Sequence, residues 1–126
     1  MRLVLDSGAL IALERNDRAM WRRLKAALLA GDVPVSHGGV VGQVWRGRGS
    51  RQALLAKALA GIEIQGLDDA LGRAAGELLG LTARSDVIDA ALVLLASDGD
   101  HIVTSDPADI EPLAVSAGRH VELIRA

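Results

Sequence analysis

The sequence predicts an α/β fold on a parallel sheet, and two observations carry that prediction. Five apolar runs of strand length punctuate the chain, and the segments between them repeat their apolar residues at helical steps. Strands alternating with helices pair in parallel through right-handed crossovers, because only that hand lets a helix pack back onto its sheet.

The first strand is Leu3–Leu5, stopped by Asp6, with a helix starting near Ser7-Gly8. Met20/Trp21, Leu24 and Leu28 then recur at steps of four, and Arg22, Arg23 and Lys25 take the wet face of that helix. The second strand is expected at Val33–Val35. Val40, Val41 and Val44 form a short apolar face after it, and Leu54, Leu55, Ala58 and Leu59 form another. Ile62–Ile64 is the third strand. Leu71, Ala74/Ala75 and Leu78 line one side of the next helix, with Arg73 and Glu77 outward. From Val87 to Ala96 the chain is apolar nearly all round, which marks a buried helix, and the lone Asp89 shares a face with Val93 and Ala96 and is expected to point inward. Ile102–Val103 and Val121–Ile124 complete the strands. No repeat or proline-rich linker divides residues 1–126, so a single domain is expected.

Composition removes several function classes. The absence of cysteine excludes disulfide scaffolds, thiolate zinc sites, iron–sulfur clusters and cysteine nucleophiles. Trp21 and Trp45 are the only aromatic residues, too few for the base-stacking platforms of RNA-recognition folds. The longest apolar run, Ala90 to Ala96, is far below the roughly 20 residues of a membrane span, and Asp6 interrupts any leader-like start. A cytoplasmic protein without membrane contact is expected. A mean hydropathy of +0.28 is high for a small chain and points to an interface, with a homodimer or a bound partner as its occupant.

The chemistry concentrates in aspartates. Asp6 and Asp106 each end a strand, and ligands of open parallel sheets bind beyond the carboxyl ends of the strands. Asp89 is a third candidate to converge there, with Asp86 and Asp109 one turn away on the corresponding helices. Gathering these charges is unfavourable without a cation, and oxygen-only ligands select a hard one, Mg²⁺ with Mn²⁺ as a substitute. Such ions hold phosphates, so phosphodiester chemistry follows. Seven acidic residues and no Lys or Arg lie between Asp86 and Glu111, against eight basic and two acidic residues from Arg15 to Arg51. An acidic pocket beside an arginine-bearing rim suits a nucleic-acid backbone although the net charge is −2. Each acid also has a plainer role: Asp6, Asp86 and Asp106 stand at helix starts where they would act as N-caps, and Asp109 suits the dipole of a first turn. Trp45 reads as a core or interface residue, and Arg46 and Arg48 as contacts to phosphate or to a protein partner. His37, His101 and His120 are too scattered for a metal set.

Four blocks together, Leu3-Val4-Leu5-Asp6-Ser7, Gly42-Gln43-Val44-Trp45-Arg46-Gly47, Asp86-Val87-Ile88-Asp89-Ala90 and Val103-Thr104-Ser105-Asp106-Pro107-Ala108-Asp109-Ile110, resemble the PIN domain, and more narrowly the VapC-type toxins of type II toxin–antitoxin systems. The resemblance implies a three-layer α/β/α sandwich with a mainly parallel sheet of about five strands. It implies a Mg²⁺- or Mn²⁺-dependent endoribonuclease acting on RNA, held in check by a VapB-like antitoxin and reaching operator DNA only through it. By position, Asp6, Asp89 and Asp106 match the family's acidic triad, with Asp109 as companion. The family pattern has a glutamate where Gln43 stands; an amide oxygen can ligate or orient a water but carries no charge. Weaker Mg²⁺ binding than at a four-acid site is expected from this, with Asp86 or Asp109 able to supply the missing charge.

Two phosphotransfer folds that also keep aspartates at strand ends fail on residues. Ile62-Glu63-Ile64-Gln65 ends without the phospho-accepting Asp of a receiver domain, and Gly8 stands where a haloacid-type phosphatase needs its second Asp. The remaining alternative is a catalytically weak PIN-like protein that acts by binding antitoxin or RNA.

Overall fold

The computed structural model describes residues 1–126. Seven helices surround one five-stranded parallel sheet of order β3-β2-β1-β4-β5, with β1 Leu3–Leu5, β2 Val35–His37, β3 Glu63–Gln65, β4 His101–Thr104 and β5 Glu122–Arg125. The order dictates the layers. The chain steps outward from β1 to β2 to β3 through α1 (Ser7–Glu14), α2 (Arg18–Leu29), α3 (Gly38–Val44) and α4 (Ser50–Leu59). It then returns past β1 and continues outward through α5 (Asp69–Gly80), α6 (Val87–Leu94) and α7 (Pro107–Ser116). Right-handed crossovers in opposite directions place their helices on opposite faces. Accordingly α1 packs on α2, α3 and α4, while α5, α6 and α7 pack on one another. The result is a three-layer α/β/α sandwich.

Burial follows this arrangement. Leu3, Val4 and Leu5 of the central strand are all buried because helices cover both faces, which is why the strand reads as an unbroken apolar run. Val4 pairs with Val35 on one side and Ile102 on the other, and Val35, Ile102 and Val103 are buried with it. The edge strand β3 has all three residues exposed. Strand boundaries differ from expectation by one or two residues. Pro34 has no N–H to give the ladder, so β2 begins after it and runs on through Ser36 and His37. The expected helices are present, and Ala90, Ala91, Leu92 and Val93 of α6 are buried. Of the two roles expected for Trp45, the core one is excluded: it lies just past α3 and is 41% exposed. No helix is long and apolar enough to cross a membrane.

Candidate functional site

The strand order reverses between β1 and β4, and the crevice outside the carboxyl ends of two such strands is where open α/β sheets bind ligands. Asp6 follows β1 and Asp106 follows β4. Both are fixed by one hydroxyl. Thr104 Oγ1 donates to Asp6 Oδ2 at 2.8 Å and accepts from the Asp106 N–H at 3.0 Å, so a single buried side chain sets the two strand ends relative to each other. Asp6, 5% exposed, also caps α1 by accepting from the Ser7 N–H at 2.7 Å. Capping and ligation are compatible, because each carboxylate oxygen has a second lone pair. Asp106 sits at the cap position of α7, ahead of Pro107, yet its side chain makes no capping hydrogen bond and its carboxylate stays exposed.

α6 brings the other acids. Asp86 caps it, accepting at one oxygen from the Ile88 and Asp89 N–H groups. Asp89 occupies its first turn and is half-buried rather than enclosed, looking onto a cleft of about 270 Å³ shared with Asp86, Asp109 and Arg84. Its carboxyl is pushed up to about 6, first by burial and then by the charges of Asp86, Asp6, Asp109 and Asp106 in decreasing order. All five candidate aspartates thus share one electrostatic neighbourhood. No three of them close into a ready-made cage. The cation among them is Arg84, whose Nη1 lies 3.3 Å from Asp109 Oδ1; it comes from just outside the acidic stretch seen in the sequence. An oxygen-only donor set with one uncapped oxygen on Asp86 and a free carboxylate on Asp106 fits a hard divalent cation better than a zinc-type ion.

Gln43 is exposed near the end of α3 and lines a groove of about 580 Å³ with Arg15, Arg46, Arg48, Arg51 and Glu14. α1 connects the two regions; Asp6 and Glu14 are eight residues apart, about 12 Å at helical rise. Arg46 is largely committed to the protein itself. Its guanidinium donates to the carbonyls of Gly42, Gln43 and Trp45, the terminal acceptors of α3. Arg48 stays exposed in the groove.

Three residues that sequence reasoning passed over organise these regions. His37 is fully buried; Nδ1 accepts from the Gly39 N–H and Nε2 donates to the Ile88 carbonyl at 3.0 Å, which pins the end of β2 to the helix turn carrying Asp89. Thr104 is the bridge already described. Gln52 anchors the arginine loop: Oε1 accepts from the N–H groups of Arg46 and Gly47, and Nε2 donates to Glu14 and to the Val44 carbonyl. Thr104 and His37 had a faint signal as polar residues ending apolar strands, and Gln52 had none.

Two expected results follow from this geometry. Thr104→Val keeps the shape but strips the bridge, leaving Asp6 Oδ2 and the Asp106 N–H unpaired. A loss of about 2 kcal/mol in denaturant unfolding and roughly tenfold weaker Mn²⁺ binding by calorimetry are expected. Thr104→Ser should recover most of both, and equal behaviour of the two variants would show that the hydroxyl does nothing. Gln52→Leu strands two backbone donors, at about 2 kcal/mol, and should speed amide exchange at Arg46 and Gly47 well beyond any change in α4. Unchanged protection there would remove the anchoring role.

No protein-family model matches the chain, and no curated sequence matches it significantly.

Proposed function

We propose that the protein is a metal-dependent endoribonuclease of the toxin type, hydrolysing RNA phosphodiester bonds at the crevice between β1 and β4. The observation that carries the reading is the placement of Asp6 and Asp106 at the ends of β1 and β4, joined through Thr104 at the strand-order reversal, with Asp86, Asp89 and Asp109 lining one cleft at the first turns of α6 and α7. Nothing in packing requires so many like charges together, and their mutual repulsion costs stability unless a cation is bound. Asp6, Asp89 and Asp106, with Asp109, would hold Mg²⁺ or Mn²⁺. A divalent cation bound there supplies Lewis acidity toward a phosphodiester. Around it, Thr104 ties the Asp6 carboxylate to the backbone of Asp106, and His37 steadies the turn that presents Asp89. Arg48, Arg15 and Arg51 offer positive charge to flanking phosphates. Gln43 would orient rather than deprotonate, since an amide has no basic oxygen.

A VapB-like antitoxin covering the acidic crevice and the Trp45–Arg48 segment, and a homodimer, belong to the same proposal; the exposed Trp45 is the observation on their side. The second reading, a weak PIN-like binder of antitoxin or RNA, is favoured by one fact: Gln43 is neutral where the family pattern has a glutamate. Incubating the purified chain with structured RNA and Mg²⁺ or Mn²⁺ separates the two. Cleavage abolished by chelation and by Asp6→Ala and Asp89→Ala supports the nuclease. Tight partner binding without any metal-dependent cutting supports the binder and overturns the nuclease.

A further inference from the structure

Beside the arginine groove lies a second cleft, of about 300 Å³, between α2 and α4. Arg18, Arg22 and Lys25 enter it from α2 and Lys57 from α4, with Trp21 at its floor and no acidic residue in its lining. None of the four cations is paired to a carboxylate within the chain. Their spacing is that of a helix stripe: steps of four and three put Arg18, Arg22 and Lys25 on one face over about 10 Å. The floor is rigid. Trp21 Nε1 donates to the Leu13 carbonyl at 3.1 Å, fixing the indole, and Lys57 Nζ rides 5.9 Å above the ring centroid, which holds that ammonium over the cleft. Asn16, with φ of 60°, makes the left-handed turn between α1 and α2 and lines the cleft.

A net charge of −2 makes this concentration of unpaired cations more informative than it would be on a basic protein. The wet face of α2 needs solubility, which mixed charges supply as well; a stripe of one sign does not follow from solubility. The ligand that matches is a run of phosphates. One strand of a nucleic-acid duplex offers a phosphate about every 3.4 Å of axis, so a stripe ~10 Å long with Lys57 opposite meets about three of them. The cleft also shares α4 and the α1–α2 turn with the groove of Arg15 and Arg51, which adds further arginines beside it.

We infer that the Arg18–Arg22–Lys25–Lys57 cleft is an exosite for the phosphate backbone of structured RNA, separate from the cleavage crevice. The inference rests on the nuclease reading for the identity of the polyanion, but binding is measurable without cleavage. The test uses the full chain carrying Asp89→Asn, so that the probe survives, and follows a fluorescently labelled RNA hairpin by anisotropy across a potassium chloride series. Arg22→Glu with Lys25→Glu should weaken binding at least tenfold at low salt and lower the salt slope by about 1.5, the loss of two phosphate contacts. Arg73→Glu, an equally exposed reversal on the opposite layer, should change neither. Equal affinity and slope in the cleft variant, or no hairpin binding by its parent, overturns the exosite. Polyglutamate binding as tightly as the hairpin, and equally sensitive to the variant, overturns the RNA assignment in favour of an acidic protein segment. A hairpin bound through the cleft but never cut by the Asp89 protein in any divalent metal leaves the exosite standing and removes the nuclease reading instead.

Discussion

Asp89→Asn should make the metal-free protein more stable at neutral pH while abolishing metal-dependent RNA cleavage. The two effects come from one cause. The Asp89 carboxyl is pushed up to about 6 by burial and four neighbouring carboxylates, whereas in the unfolded chain it titrates near an ordinary aspartate value of about 3.9. The fold therefore favours the protonated form. Below about pH 4 the group is neutral in both states and costs nothing. Between about pH 4 and 6 the folded state holds a proton that the unfolded state has released, so stability falls as pH rises, and above 6 the penalty is constant. For a half-exposed group, solvent screening reduces that penalty to about 1 kcal/mol, or roughly 3–4 °C in Tm. Asparagine removes it, so the variant should melt higher at pH 7.5 and at the same temperature as the parent at pH 3.5. Manganese should raise the parent's Tm and leave the variant's unmoved, since the variant lacks one of the proposed ligands. Cleavage should drop at least about a hundredfold. A variant that cuts normally would remove Asp89 from the site; one no more stable at pH 7.5 would show that the carboxylates are not held together as described.

The same residue shows how far the sequence was legible. A lone carboxylate in an apolar helix needs a reason, and that alone flags Asp89. Asp6 and Asp106 are legible because a buried parallel strand is an uninterrupted apolar run, so the first charge after it marks the sheet's carboxyl edge. What stayed hidden is what joins these pieces. Thr104 reaches Asp6 across 98 positions and His37 reaches Ile88 across 51, and nothing local in either residue announces its partner. Gln43 enters the candidate site by resemblance alone, and at the end of α3 it lines the arginine groove. The wet face of α2 was read correctly as exposed. That α4 stands opposite it and turns it into one side of a cleft is tertiary information, carried by a turn at Asn16 that no periodicity encodes.

Gly8 is the clearest case of a site requirement invisible to local reading, and it yields a contrast of sign. It lies in the first turn of α1, two residues after Asp6, where the helix passes against the loop after β4. A Cβ built there would sit 2.7 Å from the Ser105 Cβ and 2.9 Å from its backbone nitrogen. The nitrogen cannot swing aside as a side chain would, so either α1 or the Ser105–Asp106 segment must shift. Gly8→Ala should therefore cost about 2 kcal/mol, despite alanine's better helix propensity, and should cut metal-dependent activity more than stability alone predicts, because the displaced segment carries Asp106. Gly76, in the interior of α5, is the same substitution without the neighbour: nothing lies within 4 Å of its Cβ position. Gly76→Ala should stabilise by about 0.7 kcal/mol and leave cleavage unchanged. Denaturant unfolding of the two variants, with Mn²⁺ titration of each, reads both signs in one experiment. The decisive comparison is Gly8→Ala itself. If it is as stable as Gly76→Ala and binds manganese like the parent, α1 does not press on the β4 loop, and the close approach that sets Asp6 beside Asp106 is not what holds the crevice in shape.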